Sequence, residues 1–200
     1  APNGKPLQVQ GFLKAFEKAA SFNGKSLLSL QQYQVPLVGL DPAMTLVYRQ
    51  EYAKILDAGE APLVMLAQEW LINALPQNEV TKVDEPYHFL PHCTEKTNEP
   101  GSIGQWQKIF ERMGLTLQVQ ASGCCGMSGT YGHETRNAET SETIYGQSWK
   151  LLIQKFNQSG RVVADGYSCR SQVKRQEGAT VLHPLQVLLA SVKERSAESR

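Results

Sequence analysis

The residues best suited to chemistry in this chain are its four cysteines, Cys93, the adjacent pair Cys124 and Cys125, and Cys169. Thiolates bind iron–sulfur clusters and zinc, and four of them would complete the ligand set of either. The adjacent pair lies in the stretch 122–132, which contains four glycines. Glycine permits positive φ and close approach of the backbone to a bulky cofactor. We therefore predict that the four thiols meet and hold an iron–sulfur cluster or one metal ion.

The positions of these cysteines relative to the predicted strands support the same interpretation. Each cysteine follows a predicted strand, and the strands are residues 87–90, 115–120 and 162–164. In a parallel sheet the carboxyl ends of all strands lie at one edge, and ligands bind in the crevice outside that edge. Loops that are far apart in sequence are thereby predicted to converge at a single place.

Structural roles for the same residues remain open at this level. A single cysteine is commonly a small buried apolar residue, and this role suffices for Cys93 taken alone. The adjacent pair favours a site, because burying both neighbouring side chains of a loop is awkward. A disulfide between Cys124 and Cys125 would be strained. A soluble chain without a signal segment also points to metal or redox chemistry more than to structural disulfides.

Two histidines lie where they could contact such a site. His92 precedes Cys93, and His183 directly follows a predicted strand at 180–182. Histidines at strand ends are commonly hydrogen-bonded structural residues, so we keep both as candidates for an outer shell around the ligands. Asp41 and Asp165 are most simply explained as turn or capping residues.

Composition excludes several classes of function. The chain has 200 residues, 41% of them hydrophobic, and a formal net charge of +1. The balanced charge supplies no broad basic face, so we expect no nucleic-acid partner. No apolar run approaches the roughly 20 residues that span a bilayer, and no signal pattern opens the chain, so we expect a cytoplasmic protein without a transmembrane segment. The opening residues Ala1–Pro6 lack an initiator Met and resemble a continuing loop, which suggests an excised piece of a longer protein.

The elements that must position the cysteines alternate between strand and helix. In the first part we predict helices over 8–20 (with Val9, Phe12, Leu13 and Phe16 on one face), 26–34, 43–56 and 63–75, a strand over 35–40, and a linker over 77–85. From residue 86 we predict further strands over 87–90, 115–120, 162–164 and 180–182, separated by helices over 102–113, 134–156, after Cys169 and from Pro184. This alternation predicts an α/β fold with parallel, doubly wound sheets.

A weak internal repeat is also present. A shift of 125 positions aligns residues 37–44 with residues 162–169, strand on strand and helix start on helix start, and places Met44 at the position of Cys169. The match indicates either a duplicated unit whose first copy lacks a ligand or a shared strand-turn-helix pattern that arose by chance.

The cysteine pattern resembles a known family. Thirty residues separate Cys93 from Cys124, 42 lie between Gly126 and Cys169, and His183-Pro184 follows. This pattern is similar to the cysteine-rich CCG domain of heterodisulfide reductase and of the iron–sulfur subunits of glycolate oxidase and glycerol-3-phosphate dehydrogenase. The stretches 2–5, 38–43, 124–132 and 166–175 resemble those of bacterial FAD and iron–sulfur fusion proteins that act as D-2-hydroxyglutarate dehydrogenases.

The resemblance implies two similar α/β lobes, a degenerate first half at 1–85 and a second half at 86–200 that carries the four cysteines. It further implies that Cys93, Cys124, Cys125 and Cys169 bind a [4Fe-4S] cluster that serves electron transfer. The implied partners are the flavin and ferredoxin-like domains of the parent chain, where FAD oxidises a 2-hydroxy acid. The fragment alone is then not catalytic.

Two departures from the family pattern limit what this chain is expected to hold. Many members end the pattern in Cys-x-x-Cys, whereas Gly166 stands at the first of those positions here. In the first half, Ala43-Met44 replaces the ligand turn. One cluster or metal ion is therefore the expected maximum. The alternatives are a domain that binds zinc or no metal and docks on the flavoprotein, or thiol–disulfide chemistry at the adjacent cysteines.

Overall fold

The structure, a computed structural model, describes residues 2–76 and 85–198. The chain divides after Trp70 into two compact units. All but one residue of the predicted linker 77–85 lies outside the described residues, so the predicted domain boundary after residue 85 stays a prediction. Among the described residues, no helix combines the length and the apolar character needed to cross a bilayer.

The first unit places four helices around a two-stranded parallel sheet. Its elements are α1 (Lys5–Val9), α2 (Leu13–Gln31), β1 (Val38–Gly39), α3 (Pro42–Gln50), a 3-10 turn (Tyr52–Lys54), β2 (Met65–Leu66) and α4 (Ala67–Ala74), which continues past Trp70. Val38 lies opposite Met65 in the parallel register of the two strands. The buried core of this unit consists of Phe16, Ala20, Val47 and Tyr52.

The predicted helix over 8–20 is divided, because its first residues belong to α1 and α2 begins only at Leu13. Two further predictions for this part differ from the structure. We predicted a break at Asn23-Gly24, but the helix runs through both residues. A Cβ atom at Gly24 would lie 3.0 Å from the Glu60 carbonyl oxygen, so glycine here allows close packing instead of ending the helix. The predicted apolar face is also wrong, because Phe16 is buried whereas the other three members are 62–64% exposed: Val9, Phe12 and Leu13.

The segment 63–75 was predicted to be one helix, and this is also wrong. Strand β2 occupies Met65–Leu66 before helix α4 begins. The Met65 N–H donates to the Leu37 carbonyl at 2.9 Å, so pairing with β1 overrides the helical pattern there. Helix α3 ends at Gln50, earlier than predicted, and is followed by the 3-10 turn.

The second unit contains a three-stranded parallel sheet in the order β4-β3-β5. Its elements are β3 (Tyr87–Phe89), α5 (Cys93–Asn98), α6 (Pro100–Arg112), β4 (Leu117–Val119), α7 (Ala138–Gln147), α8 (Trp149–Phe156), β5 (Val162–Val163), α9 (Tyr167–Glu177) and α10 (Pro184–Glu198). The predicted strand at 180–182 is reduced to one parallel bridge between Val163 and Leu182. The predicted helical region 134–156 divides at Ser148 into α7 and α8.

Phe89, the last residue of β3, and Leu90, which follows it, pack against different helices. The Phe89 ring lies edge-on to Trp106 of α6, with 6.5 Å between the ring centroids. Leu90 belongs to a buried cluster with residues of α7, α8 and α9, including Tyr145, Trp149 and Val173. The fold is therefore α/β with small parallel sheets.

The first residues of two helices, one in each unit, keep the spacing of the predicted repeat. Helix α3 begins at Pro42 and helix α9 at Tyr167, which are 125 residues apart. Asp41 caps α3 by accepting the Met44 N–H at 3.0 Å, as expected for a capping residue. Met44 and Cys169 each occupy the third position of their helix. Duplication of one unit stays a prediction.

Candidate functional site

The carboxyl edge of the three-stranded sheet carries all four cysteines. Cys93 is the first residue of α5, after β3, and Cys169 lies in the first turn of α9, after β5. Cys124 and Cys125 lie in the loop that follows β4. The strand before Cys93, β3, is the central strand of the sheet, with β4 on one side and β5 on the other.

The structure brings the four thiols together as a chain of contacts. Hydrogen bonds link Cys93 to Cys124, Cys124 to Cys125, and Cys125 to Cys169. All four are free cysteines, with Cys125 and Cys169 buried and the other two partly exposed. One end of the thiol chain therefore opens to solvent while the other end lies in the core.

Mutual contacts between the thiols make their acidities unequal. Hydrogen bonds from Cys125 and Cys93 lower the pKa of Cys124 well below its ordinary value, and the Gly126 N–H donates to the same sulfur at 3.3 Å. The hydrogen bond to Cys124 is also the main reason why the pKa values of Cys93 and Cys125 are raised. Of Cys93, Cys124 and Cys125, Cys124 is therefore the first to lose its proton as the pH rises.

The pairwise contacts of the thiols differ from metal coordination. Among the described residues, no group of three or more His, Cys, Asp or Glu side chains is arranged to hold a metal ion. Cys93 interacts with Cys169 through its charge as well as with Cys124, so the four sulfurs form one group without the geometry of an ion's ligands.

The loop of the adjacent cysteines is fixed by side chains from the helices that follow. Ser148, at the junction of α7 and α8, accepts the Gly123 N–H at 2.7 Å, and the Trp149 indole donates to the Gly123 carbonyl at 3.0 Å. The buried Ser141 hydroxyl donates to the Gly126 carbonyl at 2.9 Å. These three anchors could not be predicted from the sequence, since serine and tryptophan residues at such positions carry no motif for this role.

Glycine is required at Gly126 by both conformation and space. Its φ is +83°, and a Cβ atom there would lie 2.2 Å from the Ser141 carbonyl oxygen. The predicted positive φ is confirmed at this position, but the backbone that approaches closely is that of helix α7, and close approach to a cofactor stays a prediction.

His92 lies directly beside the thiols. Its Nδ1 accepts the Thr94 N–H at 3.1 Å, and its Nε2 lies 3.5 Å from the Ser168 hydroxyl. Its backbone N–H donates to the buried Asp165 carboxylate at 2.8 Å, which ties the start of α5 to the end of β5. The ring also contributes to the lowered pKa of Cys124.

His183, the other predicted outer-shell residue, lies at the start of α10. Its ring packs edge-on against Trp106, with 6.0 Å between the ring centroids, and its Nδ1 accepts the Leu185 N–H at 3.1 Å. These contacts give His183 a structural part in the helix start. An outer-shell role for it stays a prediction.

Comparison with curated proteins adds a functional context. The chain is 55% identical over 187 residues to a D-2-hydroxyglutarate dehydrogenase of Pseudomonas putida and 46% identical over 196 residues to one of Escherichia coli. It covers 18% and 19% of their lengths, while 94% and 96% of the chain is aligned. One subunit of an anaerobic glycerol-3-phosphate dehydrogenase from Escherichia coli is 26% identical over 193 residues, 48% of its length.

The chain spans about a fifth of the dehydrogenases it matches. It is therefore homologous to one part of larger oxidoreductases. No protein-family model matches the chain, and no solved structure matches it significantly.

Proposed function

We propose that this chain is the cysteine-rich part of a flavin- and iron–sulfur-dependent 2-hydroxyacid dehydrogenase, and that it binds one iron–sulfur cluster and serves electron transfer. The observation that carries the proposal is the meeting of four thiols at the carboxyl edge of the three-stranded parallel sheet. The relatives named D-2-hydroxyglutarate dehydrogenase favour a 2-hydroxy acid as the substrate of the larger protein.

The chemistry of the donor set fits such a cluster. Four thiols without disulfide partners supply the four thiolates that a [4Fe-4S] cluster requires. Cys93, Cys124, Cys125 and Cys169 would hold the group, which when bound would supply one-electron transfer. The partial exposure of Cys93 and Cys124 offers an entry route from solvent.

The protein environment would perform three tasks for the bound group. The core cluster around Cys125 and Cys169 excludes water from the inner sulfurs. The hydrogen bonds at Gly123 fix the loop that carries the adjacent pair. The Gly126 N–H, already directed at the Cys124 sulfur, would stabilise negative charge on that ligand.

Anaerobic reconstitution tests this proposal. The protein is incubated with ferrous iron and sulfide under reducing conditions, and iron, sulfide and the visible spectrum are measured. We expect about four irons and four sulfides per chain, the composition of a [4Fe-4S] cluster. Each of the four Cys→Ser variants should lose most of this iron, whereas Thr130→Ala, an exposed change in the same loop, should keep it. A protein that stays iron-free, with Cys124→Ser folding and functioning as the unchanged protein does, would overturn the proposal.

A second candidate is a docking domain that binds zinc or no metal. The absence of a metal-ion geometry among the described residues favours its metal-free form. Stoichiometric zinc without visible absorbance, or the absence of any metal after anaerobic purification, would be the expected result. Metal analysis of the same preparation therefore separates the two candidates.

A further inference from the structure

Lys96 links two of the three cysteine loops. Its ammonium donates to the Ser122 carbonyl oxygen and, at 3.3 Å, to the Ser122 hydroxyl. Lys96 lies one turn after Cys93 in helix α5, and Ser122 lies two residues before Cys124. The Lys96 side chain therefore spans from the element that carries one thiol to the loop that carries the next.

This link acts at the most accessible part of the thiol chain. Cys93 and Cys124 are the two partly exposed thiols, and they contact each other. The buried thiols Cys125 and Cys169 are already held by the core cluster. The contact between Cys93 and Cys124 lacks that packing on its solvent side, so its geometry depends more on polar connections between the two elements.

The charge of Lys96, in addition to its hydrogen bonds, acts on the thiol site. The ammonium is partly buried and lies within electrostatic range of the Cys93 sulfur. Its sequence neighbour Glu95 has no part in this, because that carboxylate is buried and accepts a hydrogen bond from Ser102. A cation beside thiolates also offsets the negative charge that a loaded site would accumulate.

We propose that Lys96 is a positioning residue of the thiol site, which holds Cys93 and Cys124 in contact by joining helix α5 to the Ser122 backbone. The inference rests on the proposed function for its purpose, since keeping the outer thiols together serves the binding of a shared cofactor. The contact between Cys93 and Cys124 can be measured without any cofactor.

The measured quantity is the effective concentration of the Cys93 and Cys124 thiols, which is the tendency of the two to form a disulfide with each other. In the purified, metal-free protein, the Cys93 and Cys124 thiols react with glutathione disulfide to give one protein disulfide and two glutathione thiols. Two electrons pass from the protein sulfurs to the glutathione sulfurs, and two protons accompany them. Peptide mapping by mass spectrometry quantifies the Cys93–Cys124 disulfide at equilibrium.

Three variants distinguish the outcomes. Lys96→Met should lower the effective concentration about tenfold, because the link is lost. Lys96→Gln, which keeps a donor but not the charge, should retain most of it. Lys108→Met, an exposed lysine on α6, should match the unchanged protein. Thermal unfolding of each variant checks that the fold persists.

Several results would overturn the positioning role. It is wrong if Lys96→Met equilibrates with glutathione as the unchanged protein does, or if Lys96→Gln falls as far as Lys96→Met, which would assign the effect to charge alone. If Lys96→Met does not fold, the effective concentration of Cys93 and Cys124 is measured at low and high salt in the unchanged protein and in Lys96→Gln. An equal decrease of this concentration in the two proteins would count against the link. Iron content after reconstitution is measured separately, so an iron-free protein refutes the proposed function without deciding the role of Lys96.

Discussion

Arg49 and Glu69 together occupy the outer edge of strand β2. The Arg49 Nε donates to the Val64 carbonyl at 2.9 Å, and the Glu69 carboxylate accepts the Leu66 N–H at 2.7 Å. The two side chains also pair with each other through two contacts, one of them 3.0 Å long. Because the Met65 N–H bonds to the first strand, these backbone groups point away from it. The ion pair thus takes the place of a third strand.

Arg49→Met should destabilise the protein by about 1–3 kcal/mol, because it removes the guanidinium that pairs with the Val64 carbonyl and with the partly buried Glu69 carboxylate. The free energy of unfolding in urea is the measurement. Arg136→Met is the matched control, since Arg136 is 82% exposed in its pair with Glu134. The control should lose less than about 0.5 kcal/mol. Equal losses in the two variants would contradict this role of the edge pair.

Gly166→Ala should disrupt the packing between His92 and Cys169. A Cβ atom at this position would lie 2.3 Å from the His92 ring carbon Cδ2 and 3.0 Å from the Cys169 sulfur. We expect a loss of about 1–3 kcal/mol in unfolding free energy, as for overpacking elsewhere. Gly146→Ala, in open space on helix α7, should instead raise stability by about 0.5–1 kcal/mol.

The clash at Gly166 can be assigned to one neighbour by a double variant. Combining His92→Ala with Gly166→Ala should recover part of the loss, because the ring that blocks the new methyl group is removed. Additive losses in the double variant would show that His92 is not the obstacle.

Tyr145→Phe should be neutral or stabilising by up to about 1 kcal/mol. Among the described residues the buried Tyr145 hydroxyl has no hydrogen-bond partner, and burial raises its pKa. Removing an unsatisfied buried hydroxyl removes its desolvation cost. Tyr52→Phe is the counterpart, because the Tyr52 hydroxyl donates to the Asn3 carbonyl at 2.9 Å and accepts from Asn23. It should lose about 1 kcal/mol in thermal or urea unfolding.

Protonation of His88 should lower the free energy of unfolding as the pH falls. Burial, together with the positive charge of Lys155, lowers the pKa of His88, although Glu85 opposes this. The unfolded chain then binds the proton more tightly than the folded protein does. The free energy of unfolding therefore decreases as the pH falls below about 6.5, the ordinary histidine value, towards the lower folded pKa.

Urea unfolding at several pH values tests this dependence. His88→Phe keeps an aromatic ring in the position that stacks on Phe156 and should flatten the pH profile below about 6.5. Lys155→Met removes one cause and should reduce the slope. Parallel profiles for the unchanged protein and His88→Phe would exclude His88 as the source.

The sequence predicted the cysteine-bearing loops well because hydrophobic patterning shows where the strands lie along the chain. Each of Cys93, Cys124 and Cys169 follows a real parallel strand, and the contacts among the thiols follow from that topology. The pairwise contacts themselves were not predictable, since they depend on side-chain placement within about 1 Å.

Short elements whose form depends on tertiary contacts were predicted poorly. Asn23-Gly24 is typical of a turn, yet Gly24 lies in a helix because the Glu60 backbone approaches it closely. Strand β2 was taken as helix, since two residues carry too little periodicity to outweigh the pattern around them. Lys96 was missed because a lysine on a short helix carries no motif.

The anchoring of the cysteine loop by Ser148 and Trp149 has a consequence for biogenesis. When the ribosome has made the chain only as far as Cys125, three of the four sulfurs exist, but the helices that shape their loop do not. Cys169 arrives later still, from helix α9. A cofactor held by all four sulfurs, as in the proposed function, would therefore be complete only once the chain has been synthesised past Cys169.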